Sequence, residues 1–236
     1  MHMSINHKKH THLDVVLGKT SPFAITEAYK TMRTNLSFAL ADAKNKRVVI
    51  TSSLPNEGKS TTATNIAITL AQTGKKTLLI DADMRKPTQY KIFRLTRGNG
   101  LSSLLGGFTK PENTIVEDVR ENLDLITSGP IPPNPTELLS SSKMRELLEE
   151  LNKTYEYIIL DSPPINIVSD ALALADICAG VVLVIRQNQT KHETLQKAIK
   201  SLEFAEMKIL GAVVTHAGNE RKSRYYRYMK YKSYKE

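Results

Sequence analysis

The sequence predicts an α/β fold: a doubly wound, mainly parallel sheet with helices on both faces. Three observations point there. The runs 46–52, 77–81, 157–161 and 180–185 are apolar nearly throughout and do not alternate, the pattern of parallel strands buried on both sides. Stretches of helical periodicity separate them, as β–α–β units require. The first run enters a polar turn ending in Gly58-Lys59-Ser60 and then a helical stretch, the context of a phosphate-binding loop. The expectation therefore sharpens to a P-loop NTPase fold.

At 236 residues the chain holds one domain with short extensions, long enough for a full α/β core. The expected division is a flexible basic arm over 1–20, a P-loop domain over 21–217 and a disordered, tyrosine-rich basic tail over 218–236. No stretch approaches the ~18 consecutive apolar residues of a membrane span. The segment 1–9 has no apolar run behind its basic residues, so no secretory signal is expected. The arm holds four histidines without regular spacing, a weak pattern for a metal tract. Cys178, the single cysteine, lies in an Ala-rich apolar stretch and reads as a small buried hydrophobe in a reducing, intracellular setting. The net charge is +9, yet residues 221–236 carry seven Lys or Arg against one Glu, which is +6 of it. The basicity belongs to the tail rather than the fold, so no stable nucleic-acid complex is expected.

From Pro22 the pattern turns helical: Ala24, Ala28, Met32, Leu36 and Leu40, with Phe23, Ile25 and Phe38, predict an amphipathic helix over 23–41. Its Glu27, Lys30 and Arg33 fall three apart and form a stripe along one side. The strand 46–52 leads through the loop into a helix over 60–72 that stops at Gly74. The strand 77–81 empties into the polar loop 82–87, closed by Pro87. Glycines at 98, 100, 106 and 107 bracket a short helix at Leu101–Leu105, and a short strand follows at 123–127. Gly129–Pro135 contains four prolines and must be an irregular ordered loop or lid. Thr136 is the expected cap of a helix over 137–151. After the strand at 157–161 come a helix over 170–175, the strand 180–185, a helix over 190–204 and a last strand over 209–214.

The chemistry gathers at strand ends. Backbone N–H groups of the loop and helix start, around Asn56, Glu57, Gly58, Lys59, Ser60 and Thr61, would cradle phosphates. Lys59 would reach the β- and γ-phosphates and Ser60 would bind Mg²⁺; Ser53 stands where the usual motif has its first glycine. Asp81, Asp83 and Asp161 lie at or just past the carboxyl ends of apolar strands, the edge where doubly wound sheets bind ligands. Asp161 takes the place of the acid that supports Mg²⁺, and Asp81 and Asp83 are the carboxylates available to orient or deprotonate an acceptor. Arg85 and Lys86 either neutralise developing charge or hold the acidic loop.

From Thr26 to Glu236 the chain resembles the bacterial tyrosine kinases of polysaccharide export, within the MinD- and ParA-like ATPases. Three motifs carry the resemblance: the phosphate loop from Ser52 to Ser60, the acidic motif from Leu78 through Asp81, Asp83 and Arg85 to Pro87, and the motif from Ile158 through Asp161 to Pro164. Leu54 stands where MinD-like relatives carry a signature lysine, which suits the kinases. The resemblance implies ATP and Mg²⁺ as cofactors, with Ser60, Asp83 and Asp161 serving the metal. Catalysis would fall to Lys59, Arg85, Asp81 and Asp83, with Asp81 preferred for activating the tyrosine hydroxyl. It also implies a ring-shaped homo-oligomer joined through a Glu-x-x-Arg-x-x-Arg motif, which here reads Glu27, Lys30, Arg33. Lysine keeps the charge of the first arginine but loses its bidentate fork.

The tail clusters Tyr225, Tyr226, Tyr228, Tyr231 and Tyr234 among basic residues with no apolar period. By the resemblance these are autophosphorylation sites. Other implied partners are a membrane-spanning activator, cytoplasmic substrates such as sugar-nucleotide enzymes, and a cognate tyrosine phosphatase. The expected location is the cytoplasm, at the inner face of the membrane through the activator. Two other readings stay open: an ATPase switch that remodels a membrane assembly without phosphorylating protein, and a basic module that stacks its tyrosines on single-stranded nucleic acid.

Overall fold

The computed structural model of the chain describes residues 16–18 and 20–217. Most of the expected arm, and the whole tail with its five tyrosines, lie outside the described residues.

Seven strands form one sheet in the order β3-β4-β2-β5-β1-β6-β7. In chain order they are β1 (Arg47–Ser52), β2 (Thr77–Asp81), β3 (Ile115–Arg120), β4 (Leu123–Ile126), β5 (Tyr157–Asp161), β6 (Gly180–Arg186) and β7 (Ile209–Thr215). All neighbours are parallel except β3, which pairs antiparallel with β4 through an irregular register. Successive residues of a strand point to opposite faces. Val49, Leu78, Ile80, Ile158 and Leu160 pack on one side, Val48, Ile50, Leu79 and Ile159 on the other, which explains the unbroken apolar runs. On the second side lies α2 (Lys59–Ala71), buried almost along its whole length because α1 (Phe23–Ala39) covers it in turn. The first side is covered by α5 (Pro135–Leu139), α6 (Ser142–Leu151) and α7 (His192–Phe204). Two short helices, α3 (Gln89–Ile92) and α4 (Leu101–Leu105), sit in the connections after β2.

Several expectations change. The helix expected over 137–151 is two: α5 opens on Pro135, and a new cap, Ser141, accepts a hydrogen bond from Met144 N to start α6. Thr136 therefore caps nothing. Residues 170–175 form only a 3₁₀ turn, Leu172–Leu174. Strand β3 was not foreseen, and β7 is an edge strand covered only in part. On α1, Leu36 and Leu40 are buried as the periodicity predicts, while Phe23 and Phe38 face solvent. Leu17 is buried against the core, and its N–H donates to Asn65 Oδ1 at 2.8 Å. Gly100 is required by close approach: a Cβ there would meet Gly129 N at 2.2 Å.

Candidate active site

The carboxyl ends of β1, β2 and β5 lie side by side at the centre of the sheet, with Asp81 in register with Asp161. The loop between β1 and α2 curls over this edge. Asn56 and Gly58 both take left-handed backbone, at φ 65° and 92°. A Cβ on Gly58 would be strained, and it would also press on the Thr215 methyl at 3.3 Å. No side chain caps α2, which leaves its first-turn N–H groups open to an anion.

The loop is braced from below. Glu57 is fully buried; its carboxylate accepts from Leu54 N at 2.9 Å and from the Thr190 hydroxyl. The Thr215 hydroxyl donates to Glu57 O at 2.8 Å, and Arg186 donates to Asn56 O at 3.2 Å. Among the predicted phosphate-loop residues, then, the Glu57 side chain faces the protein. Gly58, Lys59, Ser60 and Thr61 line a cleft of about 280 Å³ together with Asn56 and Asp83. Arg85, Pro163, Pro164, Ile167 and Val168 also border it. A larger hollow of about 480 Å³ on the surface of α7 contains none of the predicted site residues.

Lys59 is the hub. Its ammonium donates to Asp83 Oδ2 at 2.7 Å and to Ser60 Oγ at 3.1 Å, and lies 3.5 Å from Asp161 Oδ1. Burial works against its charge, but the Asp161 and Asp83 carboxylates outweigh it and hold the lysine above its ordinary pKa. Asp83 also accepts from Lys86 N at 2.9 Å, which closes the turn of the acidic loop. Asp81 and Asp161 are fully buried. Burial, then the neighbouring Asp161 charge, push the Asp81 carboxyl up to about 8, although Gln89 N and Thr88 N donate to it at 2.9 Å each. Burial likewise raises Asp161, against the pull of Lys59, Gln89 and Ser60.

The donor set fits a hard cation arriving with a phosphate ligand. Neither Asp81 Oδ1 nor Asp161 Oδ1 has a hydrogen-bond partner, and Lys59 stands 3.5 Å from the latter. Among the described residues no three His, Cys, Asp or Glu side chains form a cage. An ion here would complete its shell with phosphate and water oxygens, as Mg²⁺ does.

Arg85 is committed elsewhere. Its guanidinium forks onto the fully buried Asp170 at 2.9 and 3.0 Å, and Thr136 donates to the same carboxylate at 2.7 Å. This pins the acidic loop to the start of α5 and to the segment after β5. On α1 the predicted stripe divides: Lys30 pairs with Glu27 at 2.8 Å on the surface, while Arg33 donates to Thr69 O of α2 at 2.9 Å. Sequence reasoning missed Gln89, Asp170, Thr190 and Thr215, and gave Thr136 only the role of a helix cap rather than a bond to Asp170. The available signal for Gln89 and Thr136 was a polar residue bordering a predicted site loop; the others are distant in sequence.

The family of proteins described as an AAA domain matches residues 50–211. The chain is 46% identical over 200 residues to the tyrosine-protein kinase YwqD of Bacillus subtilis, spanning 84% of each protein. It is 43% identical over 204 residues to the putative tyrosine-protein kinase CapB of Staphylococcus aureus, covering 86% of this chain and 90% of that one. The crystal structure of the chimerical protein CapA2B2 superposes with a TM-score of 0.80 at 40% identity, over 86% of this chain and 88% of that one.

Proposed function

The chain belongs to the bacterial tyrosine kinases of capsule and exopolysaccharide export, P-loop ATPases related to MinD and ParA, and on that premise we propose that it transfers the γ-phosphoryl group of ATP to protein tyrosines, those of its own tail included. The observation that supports this reading is the cluster of Lys59 with Asp83, Asp161 and Asp81 beside an uncapped helix start. The backbone from Asn56 to Thr61 holds the phosphates, and Lys59 turns from its acids to the β- and γ-phosphates. Ser60, Asp83 and Asp161 would hold Mg²⁺, which when bound would neutralise charge on the phosphate oxygens. The acceptor hydroxyl enters from the cleft side, where Asp83 and Arg85 lie. Its proton would pass to the acidic loop, to Asp81 in its ionised form; burial and the Asp161 charge keep that carboxyl mostly protonated below about pH 8, so transfer should rise with pH through that range. Arg85 fixes that loop through Asp170.

The acceptors are Tyr225, Tyr226, Tyr228, Tyr231 and Tyr234, and tyrosines of cytoplasmic proteins such as sugar-nucleotide enzymes. A cognate phosphatase reverses the modification. No helix among the described residues is long and apolar enough to cross a membrane. We place the chain in the cytoplasm, brought to the membrane by a membrane-spanning activator and assembled with copies of itself through α1. The test incubates purified protein with Mg²⁺ and γ-labelled ATP. Label on tyrosine is expected; release of free phosphate with no labelled tyrosine would contradict the kinase and favour an ATPase switch.

A further inference from the structure

We propose that Gln89 is a positioning residue of the phosphoryl-transfer site, a role that rests on the kinase reading above. Gln89 is fully buried at the start of α3, and its polar groups reach three parts of the site. Its backbone N–H donates to Asp81 Oδ2 at 2.9 Å. Its side-chain Nε2 donates to Asp161 Oδ2 at 2.8 Å and to Ser60 O at 3.2 Å. Its Oε1 accepts from the Thr64 hydroxyl at 2.7 Å.

This pattern fixes the amide. Turned over, it would set its oxygen against a carboxylate and a carbonyl, both acceptors. The same residue therefore engages the Oδ2 atoms of two neighbouring carboxylates, and in each it leaves Oδ1 without a firm partner. Asp161 Oδ1 is also the oxygen nearest Lys59. Through Ser60 O and Thr64, Gln89 holds the first turn of α2, which carries Ser60 itself, at a set separation from both acids. A glutamine serving only the core would be satisfied by any partners; these acceptors belong to Ser60 and Asp161, assigned to phosphate and metal, and to Asp81, assigned to the hydroxyl's proton. Gln89 thus leaves Asp161 Oδ1 open to Mg²⁺ or its water and Asp81 Oδ1 open to the proton, and keeps the phosphate loop in register with both.

The experiment uses the full chain, the fluorescent nucleotide mant-ADP, and titrated Mg²⁺. Gln89→Met keeps the volume and removes the amide; Thr64→Val leaves Gln89 in place and removes the bond that orients it. Circular dichroism and thermal melts establish that each variant is folded. For Gln89→Met the account expects nucleotide affinity in EDTA within about twofold of wild type. The Mg²⁺ concentration for half-maximal binding should rise about 10–100-fold, as when a group that holds a metal ligand is removed. The turnover number should fall while KM for a tyrosine peptide changes little. Thr64→Val should shift the Mg²⁺ requirement in the same direction by a smaller factor, and it carries the test alone if Gln89→Met does not fold. A wild-type Mg²⁺ requirement in the folded variants overturns the proposal. If the wild-type chain itself shows no Mg²⁺-dependent binding of mant-ADP, the kinase reading of the site fails, and this role with it.

Discussion

Two groups of charged residues separate the buried strand ends from the surface of α1. At the strand ends, Lys59 meets Asp83 and Asp161 with side chains almost wholly shielded from water. On α1, Lys30 meets Glu27 at 2.8 Å with both side chains more than 40% exposed, at 46% and 43%. The Lys59–Asp83 and Lys30–Glu27 distances are nearly equal, at 2.7 and 2.8 Å, but the medium differs. Near water, charge attraction is screened and the pair contributes about 0–1 kcal/mol. In the interior each charge needs its partner, because an orphaned one is costly to keep. The fold therefore fixes the chemical cluster in place, while on α1 the Glu27–Lys30 pair stays at the surface and Arg33 alone is tied down, to Thr69 O.

Removing Lys59 should give the largest effect. Lys59→Met is expected to abolish tyrosine phosphorylation, at least about 10²–10³-fold, because the charge aimed at the phosphates is gone. It also crowds Asp81, Asp83 and Asp161 without their cation, a loss of the kind that costs about 3–5 kcal/mol for a broken buried pair. The acids relieve this by taking up protons, so the deficit in Tm should shrink as pH falls. A variant that kept wild-type phosphorylation would remove the phosphate-loop assignment.

Asp81 sharpens the comparison through pH. Its carboxyl titrates near 3.9 in an unfolded chain and near 8 in the fold. Between those values the native state binds more protons than the unfolded state, so this group lowers stability as pH rises through that window. Asp81→Asn cannot ionise. Its Tm should gain on wild type from about pH 4 to about pH 8 and hold that gain above, while activity is lost. A Tm difference that does not change with pH would show that Asp81 is not a buried, proton-holding acid.

The Arg85–Asp170 pair is intermediate, with Asp170 buried and Arg85 about 40% exposed. Asp170→Ala is expected to cost about 1–3 kcal/mol in urea unfolding and to lower turnover more than nucleotide affinity, because it frees the acidic loop. Unaltered turnover would leave Arg85 with a packing role only.

The smallest effect on stability belongs to the stripe. Replacing Glu27, Lys30 and Arg33 together with Ala should cost roughly 1 kcal/mol, most of it from the Arg33 bond to Thr69 O. It should nonetheless move sedimentation toward monomer. An unchanged oligomer would deny α1 its part in assembly.

The central strands were legible because both their faces are buried, so β1, β2, β5 and β6 read as unbroken apolar runs. Strand β3 was not, since Ile-Val-Glu-Asp-Val-Arg at an antiparallel edge carries charges that suit solvent. The division of α5 from α6 was hidden for a related reason: leucines continue on either side of Ser140-Ser141, and only the Ser141 cap marks the break. Gly58-Lys59-Ser60 and the acids were visible as local motifs. Their supports were not, because Thr190 and Thr215 meet Glu57 from 133 and 158 residues away. Asp170 meets Arg85 across 85 residues. Such partnerships follow from the strand order, which no local pattern encodes.

If a buried site does the chemistry and a surface face brings the acceptor, phosphate should pass between copies of the chain. Tethering on an assembled copy would raise a tyrosine's effective concentration at a neighbouring site to around millimolar. The direct measurement mixes two full-length chains with ATP and Mg²⁺. One is Lys59→Met with its tail intact; the other is active, with Tyr225, Tyr226, Tyr228, Tyr231 and Tyr234 all changed to Phe. Phosphotyrosine mapped by mass spectrometry to the tail of the Lys59→Met chain, at a rate that rises with the concentration of the active chain, is the predicted result. An unlabelled Lys59→Met chain, with wild-type protein alone labelling itself at a rate independent of its concentration, would contradict the account.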